Sequence, residues 1–239
     1  MTRTPAPYPS LHPEQIAAIK GRSEALQADA SLQDKVQAIA RSMGPGRSDE
    51  QRLLSTAAAA PSTAQQIRWF RRAADRVVNA ATGVTACKAG CAHCCYIAVQ
   101  LTEREARVIA KESGRRLREP APGESIRLTP VIEPGAMDQA MVDVAEFQER
   151  ESARHMGIPC PFLDVDPDGP IGSGRCRIYA SRPLTCRQLI NLDRDDLLCH
   201  LVPGESVSAP YLDMRLHAAA QLETFGRGQR VADIRTWFA

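Results

Sequence analysis

Long apolar runs are missing from this chain. No stretch approaches the roughly 20 apolar residues that a membrane-spanning helix needs. The opening segment Met1-Thr-Arg-Thr-Pro-Ala-Pro-Tyr-Pro carries no apolar core of the secretory-leader kind. The sequence therefore reads as one without a membrane partner, and the expected compartment is the cytoplasm. A charge excess is missing too: 30 Lys and Arg face 28 Asp and Glu, a net charge of +2. That balance argues against a nucleic-acid partner, which asks for a clustered basic face, and it names no protein partner. Aromatic residues are scarce at 5%, so the core has to be built from Leu, Ile, Val and Ala. With 44% hydrophobic and 24% charged residues, the composition still excludes a chain disordered throughout.

The 239 residues suffice for one substantial core with a satellite. Residues 1–12 are Pro-rich and read as a flexible N-terminus. Apolar residues then recur at helical spacing from Pro13 to about Met43 (Ile16, Ile19, Leu26, Leu32, Val36, Ile39), with Gly21 an expected interruption and Gly44-Pro45-Gly46 a stop. A second helical run from Ser48 to Ala81 breaks at Pro61. Its second piece places Ile67, Phe70, Ala74, Val77 and Val78 on one side, and Arg68, Arg71, Arg72 and Arg76 read as a solvated face. Residues 13–82 thus form a helical extension ahead of a cysteine-rich domain at 83–239.

Within that domain, Thr102-Glu-Arg-Glu105 is a capping-box signature for a helix running to about Arg118. Proline and glycine from Pro120 to Pro134 indicate a loop, and helical periodicity returns over 136–154 through Met137, Met141, Val144 and Phe147. Pro167-Asp-Gly and the glycines after it mark the turn of a short hairpin over 161–178. Asp164, Asp166 and Asp168 alternate there but lack the downstream Glu of a calcium loop, so they read as turn formers. The segments Tyr211 to Phe225 and Val231 to Phe238 read as helical. The fold class expected is mainly α with one small β-hairpin.

The chemistry sits in eight cysteines: Cys87, Cys91, Cys94, Cys95, Cys160, Cys176, Cys186 and Cys199. A reducing compartment disfavours structural disulfides and favours metal ligation. Four of the eight fall within nine positions, Cys87-Lys-Ala-Gly-Cys91-Ala-His-Cys94-Cys95. A CxxC step lets two thiolates meet one metal from a tight turn whose backbone N–H groups also reach the sulfurs, and Gly90 supports such a turn. Adjacent Cys94 and Cys95 would point to opposite sides of an extended chain and so need not serve one metal. Two stoichiometries follow. Eight thiolates make two four-sulfur zinc sites, or four of them hold one iron–sulfur cluster while the rest are structural or reactive. Lys88, Arg175, Arg177, Arg182 and Arg187 would offset the negative charge.

These residues carry a family resemblance. The blocks Cys87-x3-Cys91-x2-Cys94-Cys95, Leu101-Thr-x-x-Glu-Ala, Cys160-Pro-Phe-Leu, Cys176-x-Ile-Tyr-x-x-Arg182-Pro183-x-x-Cys186-Arg187 and the later Cys199 resemble the YkgJ-like CxxCxxCC cysteine-cluster proteins, described as zinc or iron chelators. The likeness spans Cys87 to Cys199, and the helices before about Ala80 lie outside it. It implies all eight cysteines as metal ligands, with zinc or an iron–sulfur cluster as the cofactor and the metal itself as the partner. Some flagellin lysine methylases carry a similar cluster, which implies an alternative, an iron–sulfur enzyme in methyl transfer.

The spacing Cys87-x3-Cys91-x2-Cys94 also matches radical S-adenosylmethionine enzymes. The repeated strand–helix alternation of that fold does not follow here. His93 and His200 stand beside cysteines and could replace a thiolate, although a surface position or a role supporting a ligand is the reading preferred. His12, His155 and His217 have no ligand pattern around them.

Overall fold

The computed structural model describes residues 7–26, 31–44, 47–128, 136–202, 204–205, 207 and 209–238. The chain is 53% helical, in nine helices among the described residues, with a few small antiparallel strand pairs. The mainly helical reading therefore holds. Residues 1–6, Pro45-Gly46 and residues 129–134 lie outside the described residues, as do the Met137 and Met141 side chains, so the expectations placed on them have no counterpart below.

Helices α1 (Pro13–Leu26), α2 (Ser31–Ser42), α3 (Arg47–Ala59) and α4 (Thr63–Ala80) come first. Gly21 does not interrupt its helix; it lies inside α1, with open space around it. The break between α3 and α4 falls at Pro61, as expected, and the Ser62 hydroxyl caps α4 by accepting the Gln65 N–H. Ile67, Phe70, Ala74 and Val77 of α4 are buried. Phe70 meets Phe225 edge to face at 5.7 Å, and burying such a ring contributes about 2–3 kcal/mol. Arg71 departs from the solvated-face reading. It is buried, donating to Glu112 Oε2 at 2.6 Å and to the Ser181 carbonyl at 2.9 Å.

Strand β1 (Gln100–Thr102) leads into α5 (Glu103–Ser113), where Thr102 caps the helix by accepting the Glu105 N–H at 3.2 Å. The helix stops at Ser113, short of Arg118, because Gly114 takes φ +70 and closes it. Strand β2 (Ile126–Arg127) falls in the segment read as loop. After it come α6 (Ala136–His155), the hairpin β3 (Leu163–Val165) with β4 (Gly174–Cys176), the short α7 (Leu184–Gln188), α8 (Arg215–Gln221), β5 (Arg230–Asp233) and α9 (Ile234–Trp237).

The hairpin sits where the turn residues put it, with Leu163 opposite Cys176. The C-terminus differs from its helical reading. Val231 lies in β5, the centre strand of a three-stranded sheet ordered β1-β5-β2. Asp233 then caps α9, accepting the Arg235 N–H at 2.8 Å. This sheet backs the cysteine domain, with Leu101, Ile109, Phe162, Ile234, Trp237 and Phe238 in one buried cluster to which Cys160 belongs. The N-terminal helices pack on the same body: Ile39 and Val77 against Ile190 and Leu192, and Ile19 against Leu198 and Val202.

Candidate metal centre

The first four cysteines lie on a loop that two backbone contacts fasten to the hairpin turn. Gly90 turns the chain at φ +90. The Ala92 N–H then donates to the Gly172 carbonyl at 2.6 Å, and the Gly174 N–H to Gly90 at 3.1 Å. A tight 3-10 turn follows over His93–Tyr96, so the chain at Cys94 and Cys95 is not extended. Their thiols share a hydrogen bond instead of facing opposite ways. That bond holds Cys94 below its ordinary range and pushes Cys95 up, with burial adding to the rise at Cys95.

Sequence-distant elements bring the other four. The Cys160 N–H donates to the Cys95 carbonyl at 2.7 Å, which sets Cys160 beside the loop, and Cys176 ends strand β4. Cys186 rides on α7, and Cys199 closes a short 3-10 turn over Leu197–Cys199.

The charges of the thiols sort them into two sets. Every pair among Cys87, Cys91, Cys94 and Cys199 interacts electrostatically. Cys95, Cys160, Cys176 and Cys186 form a second linked set. Cys94 joins the two, because its charge also acts on Cys95, Cys176 and Cys186. The second set is the deeper: Cys160 is buried, and desolvation pushes Cys160 up to about 12 and Cys186 well above its ordinary range. In the first set Cys87 is exposed, yet burial of its sulfur still raises it, as it raises Cys91 to about 11 and Cys199 to about 12. Burial thus favours the protonated form of the thiols other than Cys94, and a bound cation would take the place of the proton.

The backbone is arranged for sulfur. The N–H groups of His93, Phe162 and Ile178 hydrogen-bond the sulfurs of Cys91, Cys160 and Cys176, each two residues back along the chain. Asn191, fully buried, donates its backbone N–H to Cys87 Sγ and its Nδ2 to Cys199 Sγ, both at 3.2 Å. Such donors stabilise thiolates and fix their directions. The Arg182 charge opposes the burial penalty at Cys87, Cys176 and Cys186 and helps lower Cys94. Its side chain stacks on Tyr179 at 4.4 Å, and its Nε is buried without a hydrogen-bond partner.

Two supports were legible only as motif letters. Glu105 does not complete a capping box; its Oε1 accepts the Leu184 N–H at 2.8 Å, capping the helix that carries Cys186. Arg187 binds Asp75 of α4, and it also donates to the Ala180 and Arg182 carbonyls at 2.6 and 3.3 Å. Arg177 also acts on Cys176.

Among the described residues, one trio brings its ligand atoms all within 4.8 Å of one another: Cys91, His93 and Asp196. His93 is not at the surface. It is 1% exposed, and burial followed by the neighbouring His200 lowers it to about 4, so its ring is neutral. Asp196 carried no signal in the sequence, since one carboxylate in Asp193-Arg-Asp-Asp196 looks like the next. Asp164, Asp166 and Asp168 stay turn formers, with Asp166 Oδ1 accepting the Asp168 N–H at 3.2 Å.

A set of thiols, an imidazole and a carboxylate, with N–H donors on the sulfurs, fits zinc or iron by donor chemistry. Among the described residues no helix is long and apolar enough to cross a membrane. The comparisons with curated proteins and with solved structures gave no match. Residues 86–200, just under half of the chain, match the model of the CxxCxxCC family, described as "Putative zinc- or iron-chelating domain".

Proposed function

We propose that the protein holds metal in two four-thiol centres, an outer one of Cys87, Cys91, Cys94 and Cys199 and an inner one of Cys95, Cys160, Cys176 and Cys186. The observation that carries this reading is that the eight thiols form two electrostatically linked groups joined through Cys94, whose charge acts on Cys87, Cys91 and Cys199 and also on Cys95, Cys176 and Cys186. Zinc or iron, once bound, supplies a positive charge that offsets the thiolates and crosslinks segments far apart in sequence.

The chain's own part is to present sulfur and take up the consequences of its charge. Each thiol that binds gives its proton to solvent. The N–H groups of His93, Phe162, Ile178 and Asn191 then meet the thiolates formed, and the Arg182 guanidinium lies near both sets. The inner centre ties β4 and α7 to the 87–95 loop and has a structural role. Residues 13–82 brace it, because Asp75 on α4 holds Arg187 next to Cys186. The cytoplasm, with its low redox potential, suits such a set of free thiols.

Anaerobic purification with elemental analysis tests the reading. A colourless protein with about two zinc ions per chain supports two four-sulfur centres. A brown protein with iron and inorganic sulfide places a cluster in one set. A Cys186→Ser protein that keeps full metal content would overturn the inner centre, and a Cys199→Ser protein that does so would overturn the outer one.

A further inference from the structure

Beside the outer thiols lies a donor group of a different kind. His93 Nε2 is buried without a hydrogen-bond partner, faces Asp196 Oδ2 at 3.5 Å and shares the neighbourhood of Cys91 Sγ. Gly172 packs so closely against the ring that a methyl group there would overlap it. Its other nitrogen is also held. Tyr8 Oη lies 2.7 Å from His93 Nδ1 and 3.2 Å from His200 Nδ1. A hydroxyl has one proton, so it donates to at most one of these rings and accepts from any ring it does not donate to. When it accepts from His93 Nδ1–H, Nε2 presents a lone pair beside the Asp196 carboxylate and the Cys91 sulfur. That is the pattern of an imidazole oriented by one nitrogen to bind a cation with the other.

Three protein donors with a further position open to solvent describe a site that binds a metal ion without enclosing it. Asp196 keeps 43% of its side chain exposed, so the trio is reached from outside. Cys91 belongs both to this trio and to the outer four-thiol set. We infer that Cys91, His93 and Asp196 form a loading site, where an incoming divalent metal ion first binds before passing to Cys87, Cys94 and Cys199 with Cys91 as the ligand common to both.

This inference rests on the outer centre proposed above. In the transfer, the metal–His93 and metal–Asp196 bonds break as three metal–sulfur bonds form. Cys91 gives its proton to solvent when the ion first binds, Cys87, Cys94 and Cys199 each release theirs in the transfer if still protonated, and no electrons move. The ligand is a divalent cation with affinity for sulfur, nitrogen and oxygen together, as zinc, cobalt and iron(II) have.

Rapid mixing of the reduced, metal-free full chain with cobalt(II) tests it, because sulfur-to-cobalt charge-transfer absorption grows with the number of thiolates on the ion. The wild-type protein is expected to show an early species with one sulfur per cobalt that converts to a sulfur-rich one. His93→Gln and Asp196→Asn are expected to lose the early species and fill about tenfold more slowly, the lower end of what groups around a metal ligand contribute. Both should reach the same final metal content.

Loading at the wild-type rate would overturn the inference. So would a lower final content, because His93 and Asp196 would then be permanent ligands. Should His93→Gln fail to fold, Asp196→Asn decides, since its side chain is half exposed. A wild-type chain that never develops the sulfur-rich absorption would instead refute the outer centre itself.

Discussion

Replacing Glu105 by Gln should make the protein more stable at neutral pH, although it removes the charge from a helix cap. Glu105 is fully buried, and desolvation, opposed by the Leu184 hydrogen bond and the charges of Arg71 and Arg187, lifts its carboxyl from 4.5 to about 6. A carboxyl whose folded-state pKa is raised binds more protons folded than unfolded between those two values. Stability is therefore lost as the pH rises from about 4.5 through about 6, and above that the ionised form costs about 2 kcal/mol.

The glutamine side chain would keep an oxygen for the Leu184 N–H and carry no charge to desolvate. At equal metal loading, Glu105→Gln should gain up to about 2 kcal/mol at pH 8, with the gain shrinking toward pH 5. Glu105→Ala should instead lose about 1–3 kcal/mol, because it leaves the Leu184 N–H buried and unpaired. Urea unfolding at several pH values gives both differences. If Glu105→Gln is the less stable protein at pH 8, attraction to Arg71 and Arg187 outweighs burial and the reasoning is refuted.

Stripping the metal with a chelator should lower the melting temperature markedly, since the ligands join segments far apart in the chain; an unchanged melting temperature would count against a structural inner centre. Arg182→Gln removes a positive charge acting on four of the eight thiols, so the pH at which metal is half released should move upward, and an unmoved titration would show that this charge is irrelevant. Gly172→Ala combines a residue at φ +78 with overlap on the His93 ring, and thermal unfolding should show a loss of more than about 1 kcal/mol. A neutral result there would mean that the turn and ring move apart freely.

Local signals in the sequence carried further than non-local ones. The amphipathic spacing of Ile67, Phe70, Ala74 and Val77, the Thr102 cap and the Pro167-Asp-Gly turn each act within a few residues, and all three reappear in the structure. The three-stranded sheet was not legible, because β5 pairs with strands more than 100 residues away and its four residues have no alternation long enough to stand out. The same limit applied at the site. Eight cysteines were visible as candidate ligands, but the two-set division proposed above depends on where α7 and the Cys199 turn pack. Asn191 and Asp196 were hidden among ordinary polar residues, and Glu105 was seen as a helix starter, when its carboxylate caps a different helix 79 positions on. His93 was read as a surface residue or one that supports a ligand, and its burial against Gly172 removes the surface reading.

X-ray absorption at the edge of the metal that co-purifies under anaerobic conditions, together with metal content per chain, tests the two-centre proposal most directly. The expected result is a first shell of about four sulfurs per metal atom, averaged over both centres, falling in occupancy by half when Cys186 or Cys199 is replaced by Ser. A protein that carries no metal, or one whose metal is surrounded mainly by nitrogen and oxygen, would contradict it.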